Sequence, residues 1–133
     1  MIPYELVTRK ADGTVERLLT DWRLETRERV ALTVMLAVLF QVDANQAVGF
    51  IINKEKQPGV YYAKVTGNVQ LRPRLCRGPK RPNDEVTFLV RAEERGGNTI
   101  PADAADRAAG LMKEVAKDDS RRQRFRPDPL RAK

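Results

Sequence analysis

GVYYAKVTGNVQLRPRLCRGPKRPNDEVTFLVRAEERGGNTIP, residues 59–101, is the stretch whose reading decides the fold. Three runs in it, 60–66, 69–76 and 86–91, are rich in Val, Tyr, Phe and Leu. Gly67-Asn68 separates the first two, and both residues tolerate positive φ, so the pair predicts a hairpin. Gly78-Pro79 and Pro82-Asn83-Asp84 predict a longer turn before the third run. The result is an antiparallel three-strand meander. Strand side chains alternate faces, so Arg72 and Arg74 share one face and Leu71 and Leu75 the other. Lys64 and Arg91 add cations to the outer strands. Such a sheet needs packing behind its apolar face and invites an anion in front of the other.

Register decides which cations meet. A two-residue Gly67-Asn68 turn pairs Lys64 with Leu71. A three-residue loop at 67–69 sets Lys64 directly opposite Arg72. Opposed like charges cost stability, so the second register hints at an anionic ligand. The competing reading of Lys64, Arg72, Arg74 and Arg91 is a solvated face of a half-exposed sheet.

Outward from this stretch, Tyr4 to Val7 reads as a short strand, with a turn at 10–13. Val15, Leu18, Leu19 and Trp22 fall at i, i+3, i+4 and i+7, which predicts a first helix capped by Thr14. A second helix is expected from about Thr26 to about Asp43. Its centre, 30–40, has only Thr33 as a polar residue. A helix so apolar needs cover on two sides, a sheet on one and a helix on the other. Residues 48–52 are either a strand or a packed loop, and 53–58 are polar and exposed. Beyond the meander, 96–98 reads as a loop and Thr99 as the cap of a helix with Pro101 in its first turn. Ala104, Ala108, Leu111, Met112 and Val115 form its apolar stripe.

These elements give an α+β domain: a small antiparallel sheet, with the leading strand free to join its edge, packed against two N-terminal helices and closed by a C-terminal helix. Its bounds are 1–117. Residues 118–133 are expected to be a basic, mobile tail. The chain has 133 residues and a formal charge of +7. Within 121–133, six cations face Asp128 alone, leaving +5; the other 120 residues hold 19 basic and 17 acidic side chains. The body is nearly balanced, so nucleic-acid binding there must rest on a local patch.

A single cysteine, Cys76, excludes an intrachain disulfide, and the chain has no histidine. That removes His-based triads, His general bases and His metal ligands; neither metal nor cofactor is expected. The run 30–40 is too short to span a bilayer, and nothing marks a leader, so the expected location is the cytoplasm. Trp22 and Tyr4 are assigned to the core. Phe125 among arginines resembles a stacking-plus-phosphate contact.

In order and in residues, the chain resembles the RelE/ParE toxin superfamily, above all its HigB-like and phage-derived branch. Gly59-Val60-Tyr61-Tyr62-Ala63-Lys64-Val65 is similar to the family's Gly-Leu-Tyr-Glu-Leu-Arg-Val. Gln70-Leu71-Arg72-Pro73-Arg74-Leu75-Cys76 stands where the family has Tyr-Arg followed by apolar residues. The run 86–90, a loop, and Thr99-Ile100-Pro101 resemble its last strand and the Thr-Pro that opens a late helix. The resemblance implies a toxin of a toxin–antitoxin pair that cleaves mRNA in the ribosome without a metal, the ribose 2′-hydroxyl attacking the neighbouring phosphate. It implies a cognate antitoxin, usually of helix-turn-helix type, that covers the site. Lys64, Arg72 and Arg91, with Tyr62 as hydroxyl donor, are the implied catalytic residues; Arg74, Arg77 and Arg95 are the implied RNA contacts. The chain departs from the pattern at Ala92-Glu93-Glu94-Arg95, where HigB proteins often carry two lysines. Two further readings stay open: a non-catalytic phage or prophage protein of this fold that binds another protein, and a ParE-like gyrase poison.

Overall fold

The computed structural model describes residues 1–126. The fold is α+β, built on a mixed sheet. Strand β1 (Ile2–Arg9) and β2 (Val15–Arg17) form a hairpin; helices α1 (Thr26–Gln41) and α2 (Ala44–Ala47) follow. Then come β3 (Ile52–Lys54), β4 (Tyr61–Ala63), β5 (Gln70–Leu71), β6 (Arg74–Arg77) and β7 (Glu85–Val90). A second hairpin, β8 (Glu93–Arg95) and β9 (Asn98–Ile100), precedes α3 (Ala104–Lys117) and β10 (Arg122–Arg124). The main sheet runs β10-β1-β7-β6-β4-β3, with β2 on the far half of β1; β5-β8-β9 form a small second sheet.

The antiparallel meander is present as β4-β6-β7. The leading strand joins it, but inside the sheet rather than at an edge: β1 runs parallel to β7 and is flanked on its other side by β10. The main sheet is therefore mixed, not purely antiparallel.

The expected first helix does not form. Residues 15–17 are β2, and Leu18 to Asp21 turn away from it. Two local and distant interactions outweigh the helical spacing. Asp12 accepts hydrogen bonds from both the backbone N–H and the hydroxyl of Thr14, and Gly13 adopts φ +86°, closing a hairpin where a helix was to start. The buried Glu5 carboxylate then takes the N–H groups of Leu19 and Thr20, which a helix would have used itself.

Helices cover both faces of the sheet. Leu32, Met35, Leu36 and Leu39 of α1 pack on Ile52, Ala63, Leu75, Val86 and Phe88. Ala104, Ala108 and Val115 of α3 pack on Cys76, Leu89 and Val90 from the other side. A sheet with one open cationic face is thus corrected to one whose second face is largely closed by α3. The stripe expected for α3 is correct, but its start is not: Thr99 lies in β9, and Asp103 precedes the helix. Gly96-Gly97 is a hairpin tip.

Composition assigned 118–133 to a mobile tail. Residues 118–126 are instead built in: a 3-10 turn (Asp119–Arg121) leads into β10, and Arg122 and Phe125 are buried. The remainder of that segment, 127–133, lies outside the described residues. Among the described residues no helix is long and apolar enough to cross a membrane.

Cys76 sits under α3, fully buried. Burial pushes its thiol up to about 12, against only partial relief from the Arg122 charge. Because the folded value is raised, the stability this thiol lends is intact below its ordinary value of 9.0 and is lost as pH climbs toward 12. Native Cys76 is therefore expected to resist alkylation at pH 8 and to react freely in denaturant. Equal rates in the two conditions would contradict its placement.

Candidate functional site

The site is set by the hairpin joining β4 to β6. Its last bridge is Val65 with Leu71, through backbone bonds of 3.0 and 2.9 Å. The same register pairs Tyr62 with Arg74 and Tyr61 with Leu75. Lys64 therefore stands opposite Arg72, as the three-residue loop requires and the two-residue turn forbids. Helix α1 holds that loop. Buried Glu28 accepts the Val69 N–H at 2.9 Å, and Arg27 donates to the Asn68 side chain at 2.9 Å. Gly67 lies close against Glu28, where a Cβ would come within 3.4 Å of its Cγ.

Tyr62, Lys64, Arg72 and Arg74 thus gather on one face of one hairpin. Their states differ. Lys64 is exposed and makes no ion pair among the described residues. Arg72 is 13% exposed in its side chain; it donates to the Leu71 carbonyl and reaches Glu94 at 3.4 Å. Glu94 is 45% exposed, so this pair has surface character and contributes about 0–1 kcal/mol. A phosphate can displace it. Arg74 is committed elsewhere. Its Nε and Nη2 both lie 3.0 Å from Glu55 Oε2, and its Nη1 donates to the Arg72 carbonyl at 2.6 Å. Its guanidinium lies 5.0 Å from the Tyr62 ring centroid, so it fixes that ring from below. With Glu55 and Glu94 counted, three cations meet two carboxylates and the patch keeps one positive charge.

The other sequence-selected arginines lie elsewhere. Arg77 is on the α1 side of the sheet, 5.2 Å from the Tyr61 ring. Arg95 is held by Glu93 at 2.7 Å on the small hairpin. Arg91 buttresses the β2 turn, donating to the carbonyls of Leu18 at 2.7 Å and Arg17 at 3.2 Å. It faces an open cleft of about 500 Å³ that also includes Lys10, Glu16, Trp22 and Arg23. Glu93 and Glu94 act as ion-pair partners, which the departure at 92–95 allowed. Glu55 had no such signal, because it sits in a segment whose polarity read as plain surface.

Chemically, the hairpin offers one ammonium with no ion pair among the described residues, one releasable guanidinium and a phenol ring oriented by a fixed cation. That set suits a phosphodiester, whose charge two donors from opposite strands can clasp. Comparisons with protein-family models, with curated proteins and with solved structures find no match to this chain.

Proposed function

We propose that this chain is a RelE/HigB-like toxin-fold protein that binds RNA at the β4–β6 hairpin and cleaves mRNA on the ribosome. The observation that carries the reading is the opposition of Lys64 and Arg72. Two cations set across a hairpin repel, and an anion between them removes that cost. In this reading the substrate ribose supplies its own nucleophile. The 2′-hydroxyl gives its proton to solvent water as its oxygen bonds to phosphorus, the bond to the 5′-oxygen breaks, and the products carry a cyclic phosphate and a 5′-hydroxyl. Lys64 and Arg72 stabilise the charge gathering on the non-bridging oxygens. Tyr62 lies on the same face to donate a proton to the departing oxygen, and Arg74 is its positioning residue. Arg77, Arg91 and Arg95 have no part in the step. A cognate antitoxin caps the patch.

Induction of the gene followed by mapping of mRNA ends tests this. New internal ends and growth arrest are expected. Lys64→Ala with Arg72→Ala should lower cleavage by about a hundredfold or more, with thermal stability unchanged or raised. Intact messages under full induction would sink the reading.

The net of one positive charge at the patch favours a second reading, a non-catalytic member of the same fold that acts by binding a protein. Under it, a captured partner would be retained by the Lys64→Ala, Arg72→Ala variant.

A further inference from the structure

Helix α1 is more apolar than its surroundings require. No charged residue lies between Arg29 and Asp43. The sheet covers one side, but the helix expected over 15–22 does not form, and among the described residues the outer side stays open. Apart from Thr26 at its start, the exposed residues of α1 are Arg27, Val30, Val34, Ala37 and Gln41. Their spacing is three, four, three, four, the seam of a coiled coil. Val30 is 58% and Val34 59% exposed. Beside the seam runs a groove of about 300 Å³ between α1 and the strand end, lined by Ala31, Val38 and Ile51, with Lys64 at its rim. Phe50, next in the chain to Ile51, is 82% exposed.

We propose that this face takes a second copy of this chain, the two α1 helices lying antiparallel across a two-fold axis at Val34. In that arrangement no like charges face one another across the seam. Val34 meets Val34. Val30 of one copy meets Ala37 of the other, a large residue against a small one. Arg27 meets Gln41, whose amide oxygen accepts from a guanidinium. A parallel pair would set Arg27 against Arg27 and both valine pairs against each other. An antiparallel two-fold is also the closed, self-complementary form that stops at a dimer. Sixteen residues give about 24 Å of helix. The contact therefore lies at the small end of specific interfaces, and the dimer is expected to dissociate in the micromolar range. Lys64 at the groove rim places this face beside the proposed RNA site, but self-association is read out with no RNA present.

Sedimentation velocity of the full chain over a wide concentration range is the test. The native protein should pass from monomer to dimer. Val34→Asp sets two carboxylates face to face on the axis and should weaken self-association by about a hundredfold, with an unchanged circular dichroism spectrum. Val34→Lys serves equally should the aspartate disturb the helix. Oxidised Val34→Cys should form a disulfide dimer, and Val30→Cys should not. A native monomer at every concentration overturns the proposal, as does a dimer that Val34→Asp and Val34→Lys leave intact.

Discussion

Replacing Arg122 by alanine is expected to cost about 3–5 kcal/mol of folding stability, and ending the chain after Lys117 to prevent folding altogether. Arg122 is buried and bonds in every direction. Its Nη1 lies 2.9 Å from Glu85 Oε1, its Nε donates to Asp119 at 2.9 Å, and its guanidinium lies 3.9 Å from the Tyr4 ring centroid. Glu85 is itself buried and also takes the N–H groups of Lys80 and Arg81, both at 3.1 Å. One arginine thus joins β10, β1, β7 and the 78–84 turn. Without it, Glu85 remains an uncompensated buried charge, which is why removing one partner costs more than the pair contributes. Truncation adds the loss of Phe125, 1% exposed, worth about 3–5 kcal/mol. The two together approach the whole stability of a domain this size. Urea denaturation followed by circular dichroism measures both. A midpoint for Arg122→Ala equal to that of the native chain would mean that the segment after α3 is an appendage.

What the sequence could reveal depended on how far apart the deciding partners lie. The meander was readable because turn-forming residues at 67–68 and 78–84 separate its runs, although neither Gly67 nor Asn68 takes the positive φ of a two-residue turn. Helix α3 was readable from its apolar stripe, and α1 from a long apolar run with charged residues at its start. Failures came where a distant side chain decided the outcome. Val15, Leu18, Leu19 and Trp22 keep helical spacing, yet Glu5 captures the backbone of Leu19 and Thr20 from fourteen or fifteen residues away. Arg122 looked like one arginine of a charged tail, and only Glu85, far back in the chain, makes it core. The β8–β9 hairpin was different: Gly96-Gly97 between Glu93–Arg95 and Asn98–Ile100 is a two-residue turn signal, but Thr99 before Pro101 also fits the start of a helix, so two local signals compete there. At the candidate site, register alone could place Lys64 opposite Arg72 or not. The choice rests on Glu28 and Arg27, which grip the loop from another element.

Glu5→Ala is expected to be as damaging as the loss of Arg122, at about 3–5 kcal/mol, and to carry a signature of its own. The Glu5 side chain is wholly buried and fully used. Oε1 accepts from the N–H groups of Leu19 at 2.9 Å and Thr20 at 3.1 Å; Oε2 accepts from the Thr20 hydroxyl at 2.8 Å and pairs with Arg17 at 2.9 Å. Alanine leaves these donors in a site water cannot readily enter, each orphan costing about 1–3 kcal/mol. It also removes what holds 18–22 in a turn rather than a helix. Trp22, the sole tryptophan, is docked by that turn. Its emission should therefore shift to the red in Glu5→Ala even under conditions where circular dichroism still reports a folded sheet. Arg91 depends on the same turn through the Leu18 and Arg17 carbonyls, so its side chain should loosen with it. Glu16→Ala is the matched control. Glu16 sits on the same hairpin, but its bridges to Lys10 at 3.2 Å and to Arg91 at 3.6 Å both lie between partly exposed side chains, and Arg91 keeps its bonds to the Leu18 and Arg17 carbonyls without it. Its loss should fall within about 0.5 kcal/mol and leave the emission maximum in place. A Glu5→Ala protein that matches the control in both readouts would show that the turn is held by its own sequence, and the account given for the missing helix would fail.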